Sequence, residues 1–581
     1  MSNRWQQLGA QDDAVAQEGD RAFMGVDMRR DPSLLEAGVC AEAVNKVFTQ
    51  GRAETRPGMR TKPWARELAA DFPISFPVDF STETGFGKVW GQTVFSDPYG
   101  QEFAVLACEN VCYRITDGAP IGTIKYPSGV MLSGPVTFTQ AFNVLIMWRG
   151  EDLDPLKLET GTDFSTEFSW ESVPEDLSVD YTSTIPRASR GLHYGNRVWV
   201  GFDRSRVAFS DLLAYTRYDA DLSEIYVNSG SDDSLVALTA FGENAILACK
   251  DQSIYAISGV LPDPNTAGRI DVVTTERGVL APDSIVQAGK DVLFLSDAGV
   301  YAISQALDNK LQAGSDPISG PIQPLMDRIN WSYAGGAVAA VHDNRYYLAV
   351  PIDGATYNNA ILVFDFLNRS WSGWWEGPYV DVAGFLRLTV AGKRRLVLVS
   401  GNSLTEARSH GAVLVLGEGY TDELFDLEAD VSDRLLSRGY TLGQQGPKAW
   451  MGAAVDMETW HGQAEFALRR SGVNASTALR TITKDRTRSY VWNALPWDPT
   501  NVNGDHGATA REDYSVDLDP AGQAWHTGIS PGLHQRSTES FRLRESTRAV
   551  QLEISGTRGR NNVCAITVSA AVDEENLRSK V

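Results

Sequence analysis

The run Gly242-Glu243-Asn244 is followed by Ala245-Ile246-Leu247-Ala248-Cys249, a short polar break, and Ser253-Ile254-Tyr255-Ala256-Ile257. A turn signal opens two short apolar runs, each of strand length and each bounded by residues that favour turns. The pattern returns along the chain. Gly195-Asn196 precedes Arg197 to Phe202 and then Arg206 to Phe209. Lys290-Asp291 precedes Val292 to Leu295 and then Gly299 to Ile303. Asp343-Asn344 precedes Arg345 to Val350 and then Ala360 to Asp365. The turn positions Gly195, Gly242, Gly289, Asp343 and Gly392 are spaced by 47, 47, 54 and 49 residues, and weaker copies stand at Tyr99-Gly100 and Phe142-Asn143. A repeat of this length with two or more strands per unit is the mark of β-propeller blades. Each blade has an apolar face that only a neighbour can cover, so several must pack together. The spacing predicts six or seven units over residues 86–425. A string of β-sandwich domains with similar strand spacing is the competing reading.

Outward from this repeat the character changes at both ends. Residues 1–85 mix charges with Pro57, Pro63, Pro73 and Pro77. They read as an extended arm and connector, with a turn or two of helix between Leu34 and Phe48. Deleting 1–59 is therefore expected to leave the propeller folded. From about 430 the repeat stops. Strand signals follow at 453–460, 464–468, 490–492, 541–543, 550–555 and 565–572, and a long polar loop runs over 496–531. Val550, Leu552 and Ile554 alternate with Gln551 and Glu553, as in a half-buried strand. Residues 430–581 are predicted to form a separate β-sandwich-like domain. The fold class is all-β.

The chain has 581 residues with 52 basic and 74 acidic side chains, a net charge of −22. Tight binding of nucleic-acid phosphates needs a basic face, which this balance does not supply. Five scattered cysteines give no disulfide framework and fit a reducing compartment. The first 30 residues hold no apolar stretch, so no signal peptide is expected, and no run approaches a membrane span.

No catalytic or metal site is expected. No nucleophile elbow or zinc-protease motif occurs, and the seven histidines lie far apart in sequence. Gly85-Phe86-Gly87-Lys88-Val89 lacks the spacing and hydroxyl of a phosphate loop and reads as a turn into the first blade. Ser296-Asp297-Ala298-Gly299 is the nearest approach to a sialidase Asp-box, with the aspartate one place early. The stretch 498–505 carries oxygen ligands without calcium-loop spacing. Trp371, Trp374 and Trp375 follow a strand signal, either as strand-end packing or as a sugar platform. No cofactor is expected.

The pieces Met28-Arg29-Arg30-Asp31-Pro32, Ala43-Val44-Asn45-Lys46-Val47 and Glu54-Thr55-Arg56-Pro57-Gly58 resemble the opening of tail nozzle and tail-hub virion proteins of short-tailed bacteriophages. A second echo is Ser437-Arg438-Gly439-Tyr440. The resemblance covers the plan of the whole chain: an arm, a propeller and closing β-rich domains. It implies a structural protein of the virion tail, assembled in the host cytoplasm as a homo-oligomeric ring of six copies. The ring would surround the exit channel, next to an adaptor and tail fibres, and DNA would pass without specific binding. Arg29, Arg30, Asp31 and Arg56 are the candidate assembly residues. In so acidic a protein, arginines of this stretch could pair with carboxylates of a neighbouring subunit. Two other functions compete. A propeller glycosidase or lyase needs paired carboxylates at the propeller mouth. A host-receptor adhesin would use loop 496–531 or the tryptophan cluster.

Overall fold

The structure is a computed structural model. It describes residues 15–60, 88–483 and 535–571, apart from 98, 117–121, 128, 160–167, 170, 173–185, 219–222, 243–244, 260–268, 306–310, 314–315, 391, 401–412, 418–419, 425–426, 445 and 471–475. Its regular structure is nearly all strand. Its one α-helical turn is Gln323–Met326 among the described residues.

The repeat is a β-propeller. Blade 1 is built from Val89–Ser96, Glu102–Cys108, Val111–Ile115 and Gly122–Lys125, and blade 2 from Thr137–Ala141, Val144–Trp148, Leu156–Glu159 and Glu171–Ser172. Blade 3 holds Arg190–Tyr194, Arg197–Phe202, Arg206–Phe209 and Glu224–Tyr226. Blade 4 holds Leu235–Phe241, Ala245–Lys250, Ile254–Ser258 and Arg269–Thr274. Blade 5 holds Val286–Ala288, Asp291–Ser296, Gly299–Gln305 and Leu311–Ala313. Each is an antiparallel meander in chain order. Two more meanders complete the ring: Val338–His342, Arg345–Val350, Ala360–Asp365 and Ser370–Trp375 as blade 6, and Val382–Val390, Lys393–Ser400 and Val413–Leu416 as the start of blade 7. Six blades are sheets of their own, whereas blade 6 is one end of a 15-stranded sheet.

The ring closes through its first strands. The inner strand of blade 1 touches those of blades 2 and 7, and the inner strand of blade 6 touches those of blades 5 and 7. A separate apolar cluster fills each gap. Phe95, Val105, Leu145 and Leu156 lie between blades 1 and 2. Phe294, Tyr301, Leu247 and Ile254 lie between blades 4 and 5. Leu386, Leu388, Leu106 and Val399 lie between blades 7 and 1. The turn positions of the repeat all occupy one place, the hairpin between the inner and second strand. Asp343 and Asn344 have φ of 46° and 58°, and Gly195 and Asn196 have 60° and 58°. Positive φ at both central residues is what a two-residue type I′ hairpin requires, hence the Gly, Asn and Asp found there.

Residues 15–60 are not a free arm. Blade 7 takes its fourth strand from Met59–Arg60, which pairs antiparallel with Val413–Leu416. Glu42–Val44 lies beside blade 6 at Trp374 on one side and pairs with Asp433–Leu436 on the other. The expected helix between Leu34 and Phe48 is replaced by strands Val39–Cys40, Glu42–Val44 and Lys46–Thr49 after a 3-10 turn at Pro32–Leu34. Val39, Val44 and Val47 favour a pleated surface, and the outer strand of blade 6 offers unpaired backbone groups for it. The same pairing argues against a truncation that spares the propeller, because deleting 1–59 takes Met59 from the fourth strand of blade 7.

The C-terminal region continues the blade 6 sheet through Glu42–Val44 and Asp433–Leu436 into two long strands, Lys448–Arg470 and Val550–Ala571. Each absorbs two of the shorter strand signals, and the sheet curls into a half-barrel. Register shifts near Trp450, Met457, Gln463 and Ala464 mark bulges, which let such long strands bend. Val15–Asp20 pairs along the far end of Val550–Ala571. The strand signal at 490–492 and the loop 496–531 lie outside the described residues.

Candidate functional site at the N-terminal seam

The candidate assembly residues fall where the propeller's last blades meet the C-terminal sheet. Arg56 is fully buried. Its Nη1 and Nη2 donate to Asp422 Oδ1 and Oδ2 at 2.8 and 2.5 Å, and its Nε donates to Asn45 Oδ1 at 2.9 Å. Asp422 Oδ1 also accepts the Met59 backbone N–H at 3.1 Å, and Trp375 lies beneath the guanidinium at 6.0 Å. The partner of Arg56 is thus in its own chain, not in a neighbouring subunit. The reason is local: Met59–Arg60 must cross beside Thr421–Leu424, which brings Asp422 to the guanidinium.

Two more charged nodes follow the same seam. The Lys46 ammonium lies 2.7 Å from Asp433 Oδ1, both side chains being wholly buried, and it donates to the Asn561 carbonyl at 2.9 Å. Thr55 Oγ1 donates to Asp433 Oδ2 at 2.6 Å. Arg438 donates to Asp20 at 2.9 Å and to Glu18 at 2.8 Å, and Tyr440 Oη donates to Asp20 Oδ2 at 2.9 Å. Burial works against the Arg438 charge, and the Asp20 and Glu18 carboxylates outweigh it. Burial, and then Asp20, hold the Tyr440 phenol well above its usual range. Buried charges pay for desolvation through partners, and the break-up of one pair leaves the other ion stranded.

Arg29, Arg30 and Asp31 are exposed. Arg30 Nε lies 3.4 Å from Asp27, while Asp31 accepts from Ser33 N and Oγ and caps the 3-10 turn. The two echoes meet in space: Gly439 N donates to the Pro32 carbonyl at 2.7 Å, and a Cβ on Gly439 would come within 3.0 Å of Ser33 N. The backbones of the two pieces therefore pack together while Arg29, Arg30 and Asp31 face solvent.

An open cavity of about 220 Å³ is lined by the inner strands of blades 2 to 4 and the turn before blade 5, through Thr137, Phe138, Arg190, Leu238, Thr239 and Asp283. Arg190 reaches past blade 4 to Asp283 with a two-pronged pair at 2.6 and 3.0 Å. Asp283 is the one carboxylate among these lining residues. Trp371, Trp374 and Trp375 are buried in the core, so their faces meet protein. The five cysteines are free and buried, and burial pushes the Cys108 and Cys249 thiols up to about 12. Among the described residues no group of three His, Cys, Asp or Glu side chains could share a metal ion, and no helix is long and apolar enough to cross a membrane.

No protein-family model matches the chain, and no curated protein matches it. Solved structures do. The chain is similar to the extracellular domain of a putative one-component system from B. thetaiotaomicron, at 10% identity and a TM-score of 0.38, over 78% of this chain and 59% of that one. It is similar to the WD40 β-propeller domain of Doa1, at 9% identity and a TM-score of 0.35, over 57% of this chain and 94% of that one. Sqt1 of Saccharomyces cerevisiae gives 9% identity and a TM-score of 0.36, over 58% and 97%. The chain spans about three-fifths of the bacterial domain's length. Likeness at this level concerns fold alone, and the propeller is read from its own sheets.

Sequence reasoning missed the acidic half of the seam. Asp20, Asp422 and Asp433 are each buried carboxylates on or beside strands. The available signal was, for Asp433, a place on the same face of a strand as Val431 and Leu435 in Val431-Ser432-Asp433-Arg434-Leu435-Leu436. Such a residue needs a buried partner.

Proposed function

We propose that this chain is a structural subunit of a bacteriophage tail, the nozzle at its distal end, acting as a homo-oligomeric ring that retains and releases the genome. The observation that carries the reading is the convergence of the resembling pieces. Met28 to Pro32 packs against Ser437 to Tyr440, and Ala43 to Val47 and Glu54 to Gly58 build the seam between propeller and C-terminal sheet. A stretch that looks like a family signature is here a construction element, which suits a protein whose task is to hold shape under load.

The geometry bears on where DNA would pass. Water occupies roughly 30 Å³ per molecule in the liquid, so the cavity lined by Arg190 and Asp283 holds only a few waters. The major groove of B-DNA alone is about 12 Å wide. A duplex cannot thread a propeller bridged by Arg190 and Asp283, so the conduit lies between copies, around the axis of the ring. Closed rings need heterologous interfaces. Native mass spectrometry of the purified chain tests the reading. A dominant species of six chains supports it, and a monomer over the whole micromolar range contradicts it.

A further inference from the structure

Many described arginines sit in local pairs, among them Arg190 with Asp283, Arg206 with Glu224, Arg328 with Asp353 and Arg470 with Glu545. Two neighbouring hairpins gather further cations. The inner hairpins of blades 6 and 7 sit side by side, with inner strands in contact. Their registers place His342 opposite Arg345, Leu388 opposite Arg395, Thr389 opposite Arg394 and Val390 opposite Lys393. Arg387 is exposed on the blade 7 inner strand. The charges of Arg387, Arg395 and Arg345 all act on His342. Among the described residues Asp365 pairs with Arg345 and Glu102 with Arg394, Asp343 lies beside His342, and Arg395 has a partner of its own. Neither Arg387 nor Lys393 forms an ion pair among the described residues. In a chain where acids outnumber bases 74 to 52, this face thus turns two unpaired cations to solvent.

We infer that the hairpin face of blades 6 and 7 is a docking surface for the acidic surface of a second copy of this chain. Charge complementarity selects the occupant. A chain of net charge −22 repels its own copies unless a cationic patch is turned toward them. Arg387, Arg395 and Arg345 are near enough for all three to act on His342, and an acidic surface within one screening length of them, about 8 Å at physiological salt, feels their charges together. The unpaired Arg387 and Lys393 are solvated in the free chain and gain partners only on contact. Complementary potentials of this kind raise association rates and fix orientation. The choice of a second copy as occupant rests on the ring reading. The cationic face itself does not.

Sedimentation velocity of the full chain at low and high salt tests the inference, with circular dichroism to verify folding. The wild type is expected to form an oligomer that weakens as salt rises. R387E/K393E, two exposed changes, is expected to weaken self-association by at least about tenfold. R269E, an exposed reversal on the outer strand of blade 4, is expected to leave it unchanged. An oligomer unaltered by R387E/K393E overturns the docking surface while the ring stands. A wild type that stays monomeric at every salt concentration overturns both. A variant that assembles normally but loses binding to duplex DNA also overturns the inference, in favour of a phosphate-binding role for the same face.

Discussion

Replacing Arg56 with Met strands Asp422 in a site where its other contact is one backbone N–H. Breaking a buried pair by removing one partner costs about 3–5 kcal/mol. R56M is therefore expected to lower the urea midpoint sharply, and R56M/D422L to lower it less, because the double change leaves no uncompensated charge. Equal losses for both variants would show that the shape of Arg56 matters and its charge does not. A second residue-scale expectation concerns pH. Burial lowers the basicity of His193, which stacks edge-on against Phe142 with its Nε2 buried and without a hydrogen-bond partner among the described residues. The imidazole thus binds a proton less readily folded than unfolded. Above the ordinary value of about 6.5 both states are neutral and His193 contributes nothing. As pH falls through that value the unfolded chain gains protons first, so stability declines. His193→Gln is expected to flatten the decline between about pH 7 and pH 5 in thermal melts, and an unchanged slope would contradict it. Arg56 itself could be singled out in the sequence as a motif member. Its role could not, because Asp422 lies 366 residues away.

At the scale of elements, the blade hairpins were legible and the seam was not, for one physical reason. A type I′ turn is encoded by two adjacent residues that tolerate positive φ, as at Gly195-Asn196 and Asp343-Asn344, so such a hairpin announces itself locally. The N-terminal strands pair with partners hundreds of residues on, and nothing in a short window distinguishes such a strand from an extended arm. Gly373 offers a clean test of the seam. Its φ is 83°, and an added Cβ would fall 1.9 Å from the Ala43 carbonyl oxygen. Gly373→Ala should therefore push Glu42–Val44 away from blade 6. Hydrogen exchange is expected to quicken at 42–44 and 433–436 and to stay unchanged in blades 2 to 4. Uniform exchange across all blades would mean that the seam is not a distinct unit. Deleting residues 1–60 goes further, since it removes the closing strand of blade 7 together with Lys46 and Arg56. The product is expected to unfold without a cooperative transition, whereas retained wild-type cooperativity would return the segment to the status of an arm.

At the scale of the molecule, the architecture joins a closed propeller to a curled sheet through one continuous set of backbone hydrogen bonds. Composition had already signalled an acidic chain, but not that Arg387 and Lys393 would stand unpaired beside the blade 6 hairpin, because that depends on which hairpins become neighbours. If six copies form the ring, the assembly carries six times −22 charges. Only those within about 8 Å of the passage act on DNA at physiological salt. A net acidic lining keeps phosphates centred and mobile, whereas a basic lining would grip them by counterion release. Anisotropy titration at about 150 mM salt is accordingly expected to show weak duplex binding or none, and strongly salt-dependent sub-micromolar affinity would contradict that. The most direct test of the central claim is an electron cryo-microscopy map of the purified full-length chain. The account predicts a six-fold ring of propellers around an opening wide enough for duplex DNA, with the hairpins of blades 6 and 7 against an acidic neighbour. Isolated single propellers, or a closed assembly with no such opening, would contradict it.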